Sequence, residues 1–345
     1  MSGPATMKPN FASGSVARPR FGHAQVWVES PLQLLSAVEA HGAGLLGRTS
    51  TIYPRLSGTM LEATLQTLMA QAPGGVSFAA ASHNPPLPSN SAADRWVIGD
   101  AYSGRVQRAL LGPLGPNELI IIDDGLATLG LLKALVNDDP LPLVRPRAKS
   151  GATRRALGLA TWWRLRALAR ASRLLVFTAL PIEAKIAQKF SALGGNLESH
   201  SFEWLGTQPV GEPICEPTIA IGSALATDGL IRAKPYLQWL RELTEEGPVA
   251  YFPHRRETPE FLLELDQHPL INVREHTIPI EMRLRSLRRG QMVRALPSTA
   301  LPSLRLLLGS TGVRIMGKPV PDHWWKPSAS PQLRAHLSTS LELNG

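Results

Sequence analysis

The chain has 345 residues, with 36 Lys and Arg against 27 Asp and Glu, nine His and one Cys. At ~150 residues per domain this length predicts two domains, and 43% hydrophobic residues exclude a disordered chain. The single cysteine, Cys215, excludes a disulfide framework and a cysteine-rich zinc site, and it suits a reducing compartment.

Residues 1–22 are rich in Gly, Pro, Ser and Ala and read as a loose tail. Residues 1–20 lack the apolar core of a secretory signal, and no run reaches the ~18 apolar residues of a membrane span. From there apolar runs of β type alternate with helical patterns. Strands are predicted at 24–28, 50–54, 96–98, 118–122 and 174–178, and helices at 31–41, 59–70, 102–111 and 127–136. This alternation predicts a parallel sheet with helices on both faces.

The basic excess lies in one place. Residues 141–182 contain no Asp or Glu but nine basic side chains: Arg145, Arg147, Lys149, Arg154, Arg155, Arg164, Arg166, Arg170 and Arg173. Without them the chain is charge-balanced. If residues 153–173 are helical, Arg155, Arg166, Arg170 and Arg173 share one side. Leu157, Leu165 and Leu168 lie roughly opposite, Trp162 falls among the arginines and Trp163 at their edge. Such a helix reads as a contact for anionic lipid, as a wall for an anionic substrate, or as a solvated arginine face. No nucleic-acid-binding motif accompanies the charge, and the aromatics are too few for stacking platforms, so no nucleic acid is expected.

A Pro-bearing stretch at 208–217 resets the pattern and reads as a hinge. A second α/β series follows. Strands are predicted at 218–222, 249–252, 271–274, 292–296 and 313–316, with helices at 229–244 and 299–308. The expected division is a tail (1–22), an N-terminal Rossmann-like domain (23–210) that carries the basic segment, and a C-terminal one (211–345). In doubly wound sheets, ligands bind beyond the carboxyl ends of the strands, so the cleft between the two domains is the expected site.

Three strand ends carry residues suited to chemistry. Ile120-Ile121-Ile122 predicts a buried strand, and Asp123-Asp124-Gly125 follows at its carboxyl end. One Asp can cap the next helix while the other faces the cleft, where partial desolvation and like charge raise its pKa toward that of a general base. Past the strand at 249–252 comes His254-Arg255-Arg256-Glu257, whose cationic groups suit a phosphate. His268-Pro269 follows an acidic helix rather than a strand and ranks below it. Leu296-Pro297-Ser298-Thr299-Ala300 passes from a strand into a helix, where hydroxyls beside free N–H groups form a phosphate seat or an ordinary cap. Two further turns, Ile221-Gly222-Ser223 and Pro279-Ile280-Glu281, suit close approach of a ligand and two ribose hydroxyls respectively, or are ordinary turns. No Walker loop, G-x-G-x-x-G, G-x-S-x-G elbow or metal-spaced His pair occurs.

As an ordered series, these fragments resemble the bacterial sialyltransferases of glycosyltransferase family 52 and their polysialyltransferase relatives. The series begins with Glu29-Ser30-Pro31-Leu32-Gln33-Leu34-Leu35 and continues through Asp123-Asp124-Gly125, Ile221-Gly222-Ser223-Ala224-Leu225, His254, Pro279-Ile280-Glu281 and Ser298-Thr299. The resemblance implies a two-domain GT-B fold and an inverting, metal-independent transferase without cofactor. Its donor would be a CMP-activated sialic acid or related nonulosonic acid, and its acceptor a cell-surface glycan or glycolipid. On that analogy Asp123, first of the pair, is the base and Asp124 supports the turn, the reverse assignment staying open. His254 steadies the leaving phosphate, Ser298 and Thr299 hold it, and Glu281 holds the ribose. Gly222, Ser223 and Arg255 complete the donor side, and Arg255 stands where the family has proline. Ser30, Gln33 and Gly125 belong to the acceptor side. Arg155, Trp162, Trp163, Arg166 and Arg170 are expected to touch an anionic membrane, with the enzyme cytoplasmic or peripheral on the inner membrane face. Rival readings are transfer of another CMP-activated acid such as Kdo, legionaminic or pseudaminic acid, and a non-catalytic membrane- or polyanion-binding module on the same fold.

Overall fold

The computed structural model describes residues 22–56, 58–86, 95–113, 115–145, 151–275 and 277–342. The predicted tail, apart from Gly22, lies outside these residues, as do Arg147 and Lys149 of the basic stretch.

The first half of the chain runs β1 (His23–Val28), α1 (Pro31–Gly42), β2 (Thr49–Pro54), α2 (Thr59–Gln71), β3 (Val76–Phe78), β4 (Arg95–Ile98), α3 (Gly104–Leu110) and β5 (Glu118–Ile122). It continues with α4 (Leu126–Leu135), α5 (Ala152–Arg170), β6 (Leu174–Thr178), α6 (Ala184–Ala192), β7 (Asn196–Ser199) and α7 (Glu203–Thr207). Its strands form a parallel sheet in the order β3-β2-β1-β4-β5-β6-β7. After the 208–217 connection come β8 (Thr218–Ile221), α8 (Ala233–Glu242), β9 (Val249–Phe252), α9 (Pro259–Asp266) and β10 (Ile271–Val273). Then follow α10 (Ile280–Arg283), β11 (Met292–Ala295), α11 (Ala300–Leu308), β12 (Arg314–Gly317) and α12 (Pro331–Glu342). These strands form a second parallel sheet, β10-β9-β8-β11-β12.

This is the α/β class expected, with two doubly wound, Rossmann-like sheets facing across a cleft in the GT-B arrangement. Every residue of β4, β8 and β9 is buried, because parallel strands are covered by helices on both faces. Side-chain alternation divides the core: Ile121 packs with Trp27, Ile98 and Val176 on one face, while Ile120 and Ile122 pack with Val26, Val97 and Phe177 on the other. In each sheet the strand order reverses once, where β1 neighbours β4 and where β8 neighbours β11. Crevices beyond the carboxyl ends of strands at such reversals are the ligand sites of this architecture.

Local chemistry sets several element boundaries. Ser30 caps α1 by accepting the Gln33 N–H at 3.2 Å, and Pro31 pre-sets the first helical turn. The helix expected at 102–111 begins only at Gly104, because the Asp100 carboxylate accepts the Tyr102 N–H at 2.7 Å and holds a turn there. The helix expected at 229–244 starts at Ala233, since Gly229 sits at φ +67°, outside helical space.

The basic stretch differs most from its expected role. Its helix is α5, but Trp162 is only 1% exposed and its indole N–H donates to the Ala134 carbonyl at 2.8 Å, so it belongs to the core rather than to a membrane face. Arg166 lies over the Trp162 ring and donates to the carbonyls of Leu135 and Asn137 at 2.7 and 2.6 Å. It therefore caps the carboxyl end of α4, where helix carbonyls lack internal partners. Arg154 bonds Gln107 and the Tyr102 carbonyl, and Arg173 bonds Asn117 and the Pro116 carbonyl. Much of the charge thus holds the first half together. Arg155, Trp163 and Arg170 are exposed on α5. No helix among the described residues is long and apolar enough to cross a membrane.

Candidate active site

The carboxyl ends of the two sheets meet at one cavity of about 280 Å³. The first half contributes Ser30, Pro31 and Leu32 at the start of α1, Met60 from α2 and Asp124 past β5. The second half contributes Gly222 past β8, His254 and Arg255 past β9, Glu281 in α10, and Ser298 and Thr299 ahead of α11. The two sides touch: a Cβ placed on Gly125 would lie 3.1 Å from the Thr299 side chain, and Gly125 adopts φ +65°. Residues predicted on six separate turns therefore converge on one cleft.

The two aspartates take opposite directions. Asp123 is buried beneath the turn, where one carboxylate oxygen accepts the Ala179 N–H at 3.0 Å, and it does not line the cleft. Asp124 lines it, with its side chain 16% exposed. Of the two orders left open for the pair, with Asp123 placed first, it is the reverse that brings a carboxylate to the cleft; the tie to the Ala179 N–H just past β6 turns Asp123 inward. Asp124 Oδ1 accepts from the Gln33 side-chain amide at 2.8 Å and from the Ser30 hydroxyl at 3.5 Å. Gln33 reaches it by crossing Gly99, where a Cβ would come within 2.2 Å of the Gln33 side chain. Asp124 Oδ2 lies 3.6 Å from the Arg145 guanidinium, which also donates to Asp100 at 2.7 Å.

Burial, reinforced by the charge of Asp100, pushes Asp124 up to about 7; Gln33 and Arg145 oppose the rise. Burial pushes Asp123 up to about 6, against the hydrogen bond from Ala179. Asp124 is thus a carboxylate in contact with the cleft that can take a proton near neutral pH. Asp100 and Arg145 were not among the expected site residues. Asp100 carried the same sign as the Asp pair, an acidic residue just past a predicted strand. Arg145 carried none, being 21 positions from Asp124 in sequence.

On the opposite wall, His254 Nδ1 accepts the Arg256 N–H at 3.2 Å, which in the neutral ring leaves the hydrogen on Nε2. Arg256 pairs with Asp228 at 2.9 Å, while Arg255 is exposed at the cavity. Ser298 Oγ accepts the Ala300 N–H at 3.2 Å, the capping role expected of it, and Thr299 stands at the N-cap of α11. Glu281 is buried, accepts the Ser303 hydroxyl at 2.7 Å, and is raised by burial. Ser223 does not line the cavity, although the adjacent Gly222 does. A Cβ on Gly222 would meet Glu257 Oε2 at 2.4 Å and the His254 nitrogen at 2.5 Å, so no side chain fits there without moving the His254 turn.

A separate cluster lies away from the cleft. Potential metal-ligating atoms of Glu39, His200 and Glu203 fall within 4.8 Å of one another, a grouping invisible in a search for spaced His pairs. The Glu39 carboxylate accepts the N–H groups of Trp204 and Leu205 at 3.0 and 2.8 Å, and burial pushes it up to about 7. Its geometry is that of a cap on α7.

No protein-family profile matches the chain, and no curated protein does. Among solved structures, the chain is similar to a 2,6-sialyltransferase of Photobacterium sp. JT-ISH-224 in a ternary complex with the donor product CMP and the acceptor substrate lactose. The identity is 10%, over 93% of this chain and 76% of that one, with a TM-score of 0.46. It is also similar to UDP-glucose:anthocyanidin 3-O-glucosyltransferase in complex with UDP, at 10% identity over 93% of each chain and a TM-score of 0.47.

Proposed function

We propose that this cleft is the active site of an inverting, metal-independent glycosyltransferase that moves sialic acid or a related nonulosonic acid from a CMP-sugar to a glycan acceptor. The observation that carries the reading is the opposition of Asp124, titrating near neutrality on one wall, to His254, Arg255, Ser298 and Thr299 on the other. The donor class rests on the ordered motif series described above.

In this reaction an acceptor hydroxyl attacks the anomeric carbon from the face opposite CMP. A new carbon–oxygen bond forms, the bond to the phosphate oxygen breaks, and configuration inverts. The hydroxyl proton passes to Asp124, whose orientation Gln33 and Ser30 maintain. CMP departs with the bonding electrons. His254, Arg255, the Ser298 and Thr299 hydroxyls and the amino end of α11 stabilise the charge that gathers on its single phosphate. Donor groups of this kind supply the stabilisation without calling on a metal ion. Glu281 faces the cavity where a ribose would lie. Peripheral contact with an anionic membrane, part of the same proposal, narrows to Arg155, Trp163 and Arg170 on α5.

Calorimetric titration of the purified protein with CMP, UDP and inorganic phosphate tests the donor assignment. CMP is expected to bind at least tenfold more tightly than UDP. Equal binding of both nucleotides would overturn the CMP assignment, and binding of neither would remove the nucleotide-sugar reading altogether.

A further inference from the structure

Glu257, three residues past His254, is a hub of hydrogen bonds. Three donors converge on its Oε1: the Tyr251 hydroxyl at 2.6 Å, the Ser223 N–H at 3.2 Å and the Tyr236 hydroxyl at 3.4 Å. Its Oε2 accepts the His254 N–H at 2.8 Å and packs where Gly222 lacks a side chain. Tyr236 and Tyr251 are both fully buried. One carboxylate therefore ties the turn past β8 to the turn past β9, and anchors both to α8 and to the β9 strand.

From this convergence we infer that Glu257 is a positioning residue of the donor site, setting His254 and the Gly222–Ser223 turn at a fixed spacing for the phosphate. The inference rests on the function proposed above and deepens it. Glu257 lies beneath the turns and is absent from the cavity wall. Its contribution is geometric, and a displacement of about 1 Å at reacting groups can cost on the order of 10²-fold in rate. Burial raises its pKa, while the four donors favour the charged form. The chemistry of the hub also demands a carboxylate. An amide at this position would present N–H groups to donors that themselves carry hydrogen, breaking at least one tie.

The test uses the full chain and two variants, Glu257→Gln and Glu257→Asp. Both are checked for folding by circular dichroism and thermal unfolding. Amide hydrogen exchange at Ser223 and His254 is expected to accelerate at least tenfold in Glu257→Gln, with exchange in α1 and β5 unchanged. For turnover, kcat/KM for the CMP-sugar is expected to fall about 10²-fold, while the acceptor KM and the pH limb near 7 set by Asp124 stay within twofold. A general loss of structure would move acceptor and donor parameters together. Glu257→Asp keeps the charge but is one methylene shorter, and is expected to restore part of the donor loss. Unchanged exchange at both amides in a folded Glu257→Gln protein overturns the inference, as does an unchanged donor kcat/KM. If wild type turns over no CMP-sugar, the function proposed above falls, and the exchange measurement still decides whether Glu257 ties the two turns.

Discussion

Replacing Asp124 by Asn is expected to lower kcat by about 10²–10⁴-fold, the usual contribution of a positioned general base. Affinity for CMP should stay within about twofold, because Asp124 comes from the first half of the chain, whereas the groups proposed to hold the phosphate come from the second. Wild-type kcat should rise with pH to a plateau above about 7, since the base acts as a carboxylate and burial holds its pKa near that value. The Asn variant should lack this limb. Stability should show the opposite trend. A carboxyl whose folded-state pKa is raised binds more protons folded than unfolded, so its stabilisation is present below the ordinary carboxylate pKa and is lost as pH rises through about 7. Urea unfolding of the Asn variant should therefore depend less on pH between about 4 and 7. Asp123→Ala is the control. It removes the acceptor of the buried Ala179 N–H and should cost about 1–3 kcal/mol of stability, read by urea unfolding. The base limb of the pH profile should remain.

His254→Ala is expected to lower kcat/KM for the donor by about 10²–10³-fold, the cost of removing one donor that stabilises developing charge. The physical basis is the fixed tautomer. With Nδ1 accepting the Arg256 N–H, the ring offers its Nε2 hydrogen to an oxygen, and the leaving phosphate is where negative charge accumulates. His254→Gln retains an N–H donor but has no ring to protonate. Recovery of part of the loss in Gln would indicate hydrogen bonding, whereas a loss equal to that of Ala would indicate proton delivery. An Ala variant with wild-type donor kinetics would remove His254 from the mechanism.

The parts of the fold legible in the sequence were those with strong local signals. The Ile120-Ile121-Ile122 run marks a strand buried on both faces, and its end is marked by the polar pair that follows. The helix predicted from Pro31 begins where Ser30-Pro31 supplies a cap and a pre-set first turn. The edge strands β3 and β7 escaped because neither holds a fully buried residue, so their segments carry no apolar run to mark them. Long-range partners decided the rest. Helical periodicity placed Trp162 among arginines, but the Ala134 carbonyl, 28 positions earlier, draws the indole inward. Nothing in Asp-Asp-Gly tells which carboxylate faces the cleft. That depends on Ala179, 56 positions away, which holds Asp123 inside. Glu257 stood in plain view beside His254, yet its role depends on two tyrosines and a serine brought from other elements.

Acceptor-dependent CMP release over a panel of CMP-sugars, measured for wild type and Asp124→Asn side by side, tests whether this cleft transfers a CMP-activated sugar acid with Asp124 as base. Wild type is expected to release CMP from at least one nonulosonic acid donor, and the Asn variant to lose that release while CMP still binds. No CMP release from any donor, or equal release by the two proteins, would contradict that assignment.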